Sequence, residues 1–87
     1  MYLYEIKPEL EKSLQKLAKK DKRYYESVVR KILQIADNPE IGKPLRNVLK
    51  GKRRVHIGHF VLIYEVDEKE KKISFLDFEH HDDAYKQ

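Results

Sequence analysis

The chain has no cysteine and no tryptophan among its 87 residues, and only one methionine. Without a thiol it can form no disulfide, no thiolate nucleophile and no zinc–thiolate site, and a reducing cytoplasm is its expected home. No apolar run approaches the roughly 18 residues that a membrane span needs. The start, MYLYEIKPELEK, also lacks the basic head and apolar block of a secretion signal, so a soluble, unexported protein with no membrane partner is expected. Repeats and low-complexity segments are absent too. A single domain over residues 1–87, with one modest core, is the expected organisation.

Acid is missing from one long stretch, residues 43–64, KPLRNVLKGKRRVHIGHFVLIY. Its first twelve residues hold six cations, Lys43, Arg46, Lys50, Lys52, Arg53 and Arg54, within a chain whose net charge is only +4. A polyanion is the natural partner. With a period of two, Arg53, Val55 and Ile57 share one strand face while Lys52, Arg54 and His56 share the other. Gly58 and His59 then fit a two-residue hairpin loop. In the following strand Phe60, Leu62, Tyr64 and Val66 alternate with Val61, Ile63 and Glu65, apolar on both faces, which places it centrally in a sheet. Near the end, residues 77–83, DFEHHDD, hold four acids and two histidines. This near-complement of the basic run could be a structural ion-pair set between neighbouring strands.

The remaining pattern gives the architecture. Tyr2, Tyr4 and Ile6 alternate with Leu3, Glu5 and Lys7 as a short strand. Pro8 opens a helix with the stripe Leu10, Leu14, Leu17 and Ala18. Asp21 caps a second helix, with Tyr25, Val28, Val29, Ile32 and Ala36 on its buried side, and Asn38 and Pro39 end it. Residues 37–44 read as a loop, residues 67–72 as a charged turn. The last strand sets Ile73, Phe75 and Asp77 against Ser74, Leu76 and Phe78. The predicted fold is α+β: an N-terminal strand, an antiparallel helix hairpin and a three-stranded antiparallel meander, in one sheet with the helices on one face. The first strand is free to join at either edge, or in parallel beside the last strand.

Three pieces in this order resemble the RelE/ParE superfamily of bacterial and archaeal toxins over essentially the whole chain. They are the strand–helix–helix start, the segment PLRNVLKGKRRVHIGHFVLIYEV with its glycine turn and IY strand, and FLDFEHHDDAY with its tyrosine near the C-terminus. The resemblance implies a RelE-like fold and the toxin of a type II toxin–antitoxin pair. The usual activity is that of a ribosome-dependent endoribonuclease that cuts mRNA in the A site. The implied partners are an acidic antitoxin, the ribosome and mRNA, with operator DNA as a target of the toxin–antitoxin complex. Two positions depart from the pattern. The strand after the glycine turn often carries an arginine where Val61 stands, and the arginine that many relatives carry before the terminal tyrosine is replaced in the region of His80 and His81. The competing readings are a non-enzymatic toxin of the gyrase-inhibiting branch and a decayed relative that only binds its antitoxin.

RNA cleavage by internal transfer needs a proton acceptor for the 2′-hydroxyl, cations at the phosphate and an acid for the leaving 5′-oxygen, and it requires no metal or cofactor. Lys52 and Arg54 point the same way to hold the phosphate, Arg54 bidentately. Arg46, Lys50 and Arg53 complete the expected RNA-binding set. Histidine, near ~6.5 when unperturbed, suits either proton transfer. His81, four residues before Tyr85, is the first choice and His56 the second. Tyr85 would stack on a base or bond the 2′-hydroxyl. His59 reads as a hairpin-tip residue, and His80 as either a half-buried strand end or a participant. Tyr2, Tyr4, Tyr24 and Tyr25 read as packing residues. A metal site in HHDD is disfavoured, since adjacent strand residues point oppositely and the i, i+4 spacing of helical pairs is missing.

Overall fold

The computed structural model describes residues 1–45 and 51–80. Strand β1 (Leu3–Ile6) leads into helices α1 (Pro8–Lys20) and α2 (Lys22–Asp37), a 3-10 turn (Pro39–Ile41), and strands β2 (Lys43–Pro44), β3 (Lys52–Ile57), β4 (Phe60–Asp67) and β5 (Lys72–His80). These strands form one sheet in the order β1-β5-β4-β3-β2. The fold is the expected α+β type, with β4 at the centre. β1 takes the parallel place beside β5, pairing Leu3 with Lys72 and Ile6 with Phe75.

Local chemistry explains the boundaries. Pro8 occupies the first turn of α1, where its missing N–H is no loss. Asp21 serves both helices: its backbone N–H closes α1 on the Leu17 carbonyl, and its side chain accepts from Tyr24 N at 3.1 Å to cap α2. That double use makes the antiparallel join one residue long. Gly58, at φ 63, takes the first central position of the β3–β4 hairpin, and the other positive angles among the described residues fall at Gly51 and Lys71. Positive φ at the first central residue alone is the pattern of a type II′ turn.

The core fills the space between the helix hairpin and one sheet face. Leu10, Leu14, Val28, Ile32 and Ile35 from the helices meet Ile57, Leu62, Tyr64, Ile73 and Phe75 from the strands. The amphipathic stripe of α2 includes Ile35, fully buried, beyond the residues expected from the pattern. Tyr2, Tyr24 and Tyr25 pack against this core, and Tyr4 meets Phe75 edge-on at 5.8 Å.

Two expectations change. Residues 37–44 are not simply a loop, since the 3-10 turn and β2 order them against β3, pairing Lys43 with Arg54 and Pro44 with Arg53. In β5 the simple alternation fails. A bulge sits where Ile63 pairs with Asp77 but Tyr64 pairs with Phe75, so Leu76 is the extra residue. Phe75 and Phe78 consequently both face the core, while Asp77 and Glu79 share the other face with Ile63 and Val61.

The Tyr64 hydroxyl, fully buried, holds the β2 side together. It donates to the Pro39 carbonyl at 2.6 Å and accepts from Gly42 N at 3.0 Å. Arg53 Nη1 then donates to the Gly42 carbonyl at 2.7 Å. Gly42 has no room for a side chain, because a Cβ there would lie 2.8 Å from the Arg54 carbonyl and closer still to the Tyr64 hydroxyl. Removing the hydroxyl leaves two buried backbone groups without their partner, so Tyr64→Phe is expected to lower stability by about 2 kcal/mol in urea denaturation. An unchanged midpoint would show that this bond is not what holds the β2 segment.

At the opposite edge Glu5 is the anchor of β1. It takes Lys7 at 3.0 Å, Lys72 at 3.4 Å and the Ser74 hydroxyl at 2.9 Å. The Lys7, Ser74 and Lys72 hydrogen bonds, in that order, hold its carboxyl down to about 2, from an ordinary 4.5. A depressed carboxyl contributes stability that is present above its unfolded value and is lost as pH falls through the folded one. Acid unfolding of the wild type should therefore show a loss between pH 4.5 and about 2 that Glu5→Gln lacks. Parallel acid limbs for the two proteins would contradict this.

Candidate nucleic-acid interface

The strand registers sort the side chains onto two faces. Arg53, Val55 and Ile57 lie with Tyr64, Leu62 and Phe60 on the helix side. Lys52, Arg54 and His56 lie with Glu65, Ile63 and Val61 on the open side. Lys43 of β2 is paired with Arg54 and adds a further cation to that open side. The sequence expected Lys52, Arg54 and His56 to share a face away from the helices. The structure brings these three together there.

Arg54 is half-buried, with its Nε shielded from solvent. Lys52 is half-buried and His56 exposed. A guanidinium set into the sheet floor beside lysine ammoniums can present a planar pair of donors to a phosphate while the lysines neutralise charge around it. Val61 and Ile63 form an apolar strip beside these groups. Val61 is buried although it lies outside the core cluster under the helices.

The acids occupy the other half of the same face. Asp77 and Glu79 flank Ile63 and Val61 from β5, while Arg54 and His56 flank them from β3. β3 and β5 are not adjacent, and with a strand between them their axes are roughly 10 Å apart. Lys52 lies directly opposite Glu65 in the β3–β4 register. At the β1 edge Glu5 adds the ion pairs with Lys7 and Lys72 described above. The open face is thus divided, basic over β2 and β3 and mixed to acidic over β5 and β1.

Arg53 stands apart from Lys52 and Arg54, its guanidinium committed to the Gly42 carbonyl. His59 and His80 stand at the far end of the sheet with parallel rings 6.5 Å apart, and both are exposed. His80 does end β5, but it is exposed rather than half-buried. Arg46, Lys50, His81 and Tyr85 lie outside the described residues. Sequence reasoning did not single out Lys43 from its basic run, because its place opposite Arg54 depends on the short strand β2. It also passed over Tyr64, although a hydroxyl in an otherwise apolar central strand signals a buried polar partner.

Comparison with known proteins agrees with this geometry. The model of the ParE toxin family of type II toxin–antitoxin systems matches residues 4–85. A protein of Methanocaldococcus jannaschii that carries the toxin name RelE4 is 47% identical over 87 residues, covering 99% of this chain and 93% of that protein. Among solved structures, the RelBE2 toxin–antitoxin complex of Mycobacterium tuberculosis superposes with a TM-score of 0.79 at 26% identity, covering 91% of this chain and 96% of the other. The RelE–RelB complex of Pyrococcus horikoshii gives 0.71 at 22% identity over 92% and 94%, a likeness of fold. No helix among the described residues is long and apolar enough to cross a membrane. With the family model spanning nearly the whole chain, an archaeal relative at 47% identity and the shared two-helix, five-strand architecture, this chain belongs to the RelE/ParE superfamily of toxins of type II toxin–antitoxin systems.

Proposed function

We propose that the chain halts translation in the cytoplasm as a ribosome-dependent endoribonuclease that cuts mRNA in the A site. The observation that carries this reading is the gathering of Lys43, Lys52, Arg54 and His56 on one open face of the sheet. In the reaction the 2′-oxygen of the ribose attacks the adjacent phosphorus and gives up its proton to a base. The bond from phosphorus to the 5′-oxygen breaks, that oxygen takes a proton from an acid, and a 2′,3′-cyclic phosphate remains. Charge accumulates on the non-bridging oxygens, where Arg54 and Lys52 offset it. Lys43 and the basic run, including Arg46 and Lys50, carry the flanking phosphates. His56 shares the face of Arg54 and is a proton-transfer group. His81 is the second, with Tyr85 against the base or the 2′-hydroxyl.

Arg53 takes a supporting part in this scheme. Through Gly42 it fixes β2, and β2 carries Lys43 to its place opposite Arg54. The mycobacterial and Pyrococcus toxins are each seen in complex with an antitoxin. An acidic antitoxin segment that folds onto the basic half of the sheet would restrain this chain and compete with RNA for it.

One observation favours a second reading. The matching family is named for ParE, and β4 presents Val61 where many RNA-cutting relatives carry arginine. A toxin that binds DNA gyrase without chemistry would need no such cation.

Primer extension on a defined mRNA in a translating extract separates the two. The wild type is expected to leave new 3′ ends within A-site codons. Arg54→Ala should reduce them roughly a hundredfold or more, as loss of a transition-state charge partner does. His56→Ala and His81→Ala should each fall by a comparable factor if both transfer protons. Absence of cleavage by folded wild type, with inhibition of gyrase supercoiling, would overturn the nuclease reading.

A further inference from the structure

Four side chains stand level across the open face, one from each of four neighbouring strands. Lys43 of β2 pairs with Arg54 of β3, Arg54 with Ile63 of β4, and Ile63 with Asp77 of β5. The two cations of this row belong to the phosphate-binding set, and Ile63 is an apolar step between them and a carboxylate. Asp77 is exposed, and among the described residues no cation pairs with it. Resting on the reading that a phosphate of mRNA lies over Arg54, we infer that Asp77 selects guanine, accepting the N1–H and N2–H donors of a base laid across Ile63.

The dimensions suit one nucleotide. One strand separates β3 from β5, so their axes lie roughly 10 Å apart. A nucleotide spans a comparable distance from its phosphate to the pairing edge of its base, so a strand of RNA anchored at Arg54 brings that edge to β5. Single-stranded RNA is read through such edges once its bases are splayed out of the stack. Asp77 repels a phosphate, but it does not repel an uncharged base that brings it hydrogen-bond donors.

The donor pattern decides which base is taken. An ionised carboxylate only accepts, through two oxygens with about four lone-pair sites. Of the four RNA bases, guanine alone offers two donors side by side on its pairing edge, and one carboxylate can take both. Adenine and cytosine each set one amino donor beside a ring-nitrogen acceptor, and uracil sets its one donor between two carbonyls. Each of those edges turns an acceptor toward the carboxylate and loses a hydrogen bond. Asp77 is oriented in advance, since its Oδ1 accepts from the Phe78 N–H at 3.1 Å. That contact leaves Oδ2 and a second lone pair of Oδ1 for the base. The bulge aims the side chain. With Tyr64 paired to Phe75 and Ile63 to Asp77, Leu76 is passed over and Asp77 comes level with Arg54, as bulges beside active sites re-aim side chains. Glu79, further along the same face, is level with Val61 and His56 instead.

The test is binding of the full chain to 2′-O-methyl pentanucleotides of sequence UUNUU, read by fluorescence anisotropy, with guanosine, inosine, 7-deazaguanosine, adenosine or cytidine at the centre. Guanosine is expected to bind roughly tenfold more tightly than adenosine or cytidine, as one good bidentate pair does. Inosine, which lacks the N2 amino group, should lose most of that advantage, and 7-deazaguanosine, whose pairing edge is intact, should keep it. Asp77→Asn should abolish the preference, because its amide sets a donor against a guanine donor, while Glu79→Gln should keep it. Arg54→Ala should weaken every oligonucleotide alike and leave the ratio unchanged. Equal binding of guanosine and adenosine, a preference that survives in Asp77→Asn, or no binding of any oligonucleotide by the folded chain would each overturn the assignment. The readout needs no cleavage. A guanine preference that depends on Asp77, in a chain that cuts no mRNA in the translating extract, would support the guanine site and overturn the nuclease reading alone.

Discussion

The Tyr64 hydroxyl is the constraint on which the basic side of this fold depends. A phenol in the middle of the central strand, fully enclosed, must find both a donor and an acceptor, and it finds them in the carbonyl of Pro39 and the amide of Gly42. Burial pushes its pKa up, with the Gly42 contact and Arg53 opposing, so it remains a neutral phenol able to donate. The consequence reaches the surface. The segment after α2 is folded down onto the sheet, β2 pairs with β3, and Lys43 comes to lie opposite Arg54. A basic face assembled from two strands follows from one buried oxygen.

In the same sheet β4 runs between the cations of β3 and the carboxylates of β5. The bulge at Leu76 makes that separation compatible with a full core, since it lets Phe75 and Phe78 both turn inward while Asp77 and Glu79 remain on the open side. An unbroken alternation would have put either an aromatic ring on the open face or a carboxylate in the core. The resulting face is suited to a polyanion over β2 and β3 and less suited to one over β5 and β1.

Much of this was legible in the residues. Period-two alternation in β3 and β4 assigned Lys52, Arg54 and His56 to one face, and Gly58 marked the turn between the strands. Pro8, Asp21 and Asn38 bounded the helices through local chemistry that owes little to tertiary context. What escaped was non-local. β2 is two residues long and carries a proline, so no pattern within it announces a strand, and it exists because Tyr64 and Arg53 reach it from elsewhere. The bulge at Leu76 needs the register of β4 to reveal it, and the proximity of His59 to His80 needs the pairing of the strand ends. The family resemblance rested on the segment from Pro44 to Val66 and on FLDFEHHDDAY, and the comparisons bear it out.

The most direct test is a structure of the chain on a ribosome whose A-site codon carries 2′-O-methyl riboses, which block attack on the phosphate without removing it. The scissile phosphate is expected over β3, within hydrogen-bonding reach of Arg54 and Lys52, with His56 beside the modified 2′-oxygen and the helix hairpin turned away. An mRNA lying against α1 and α2 or along β1, or a chain that does not occupy the A site at all, would contradict it.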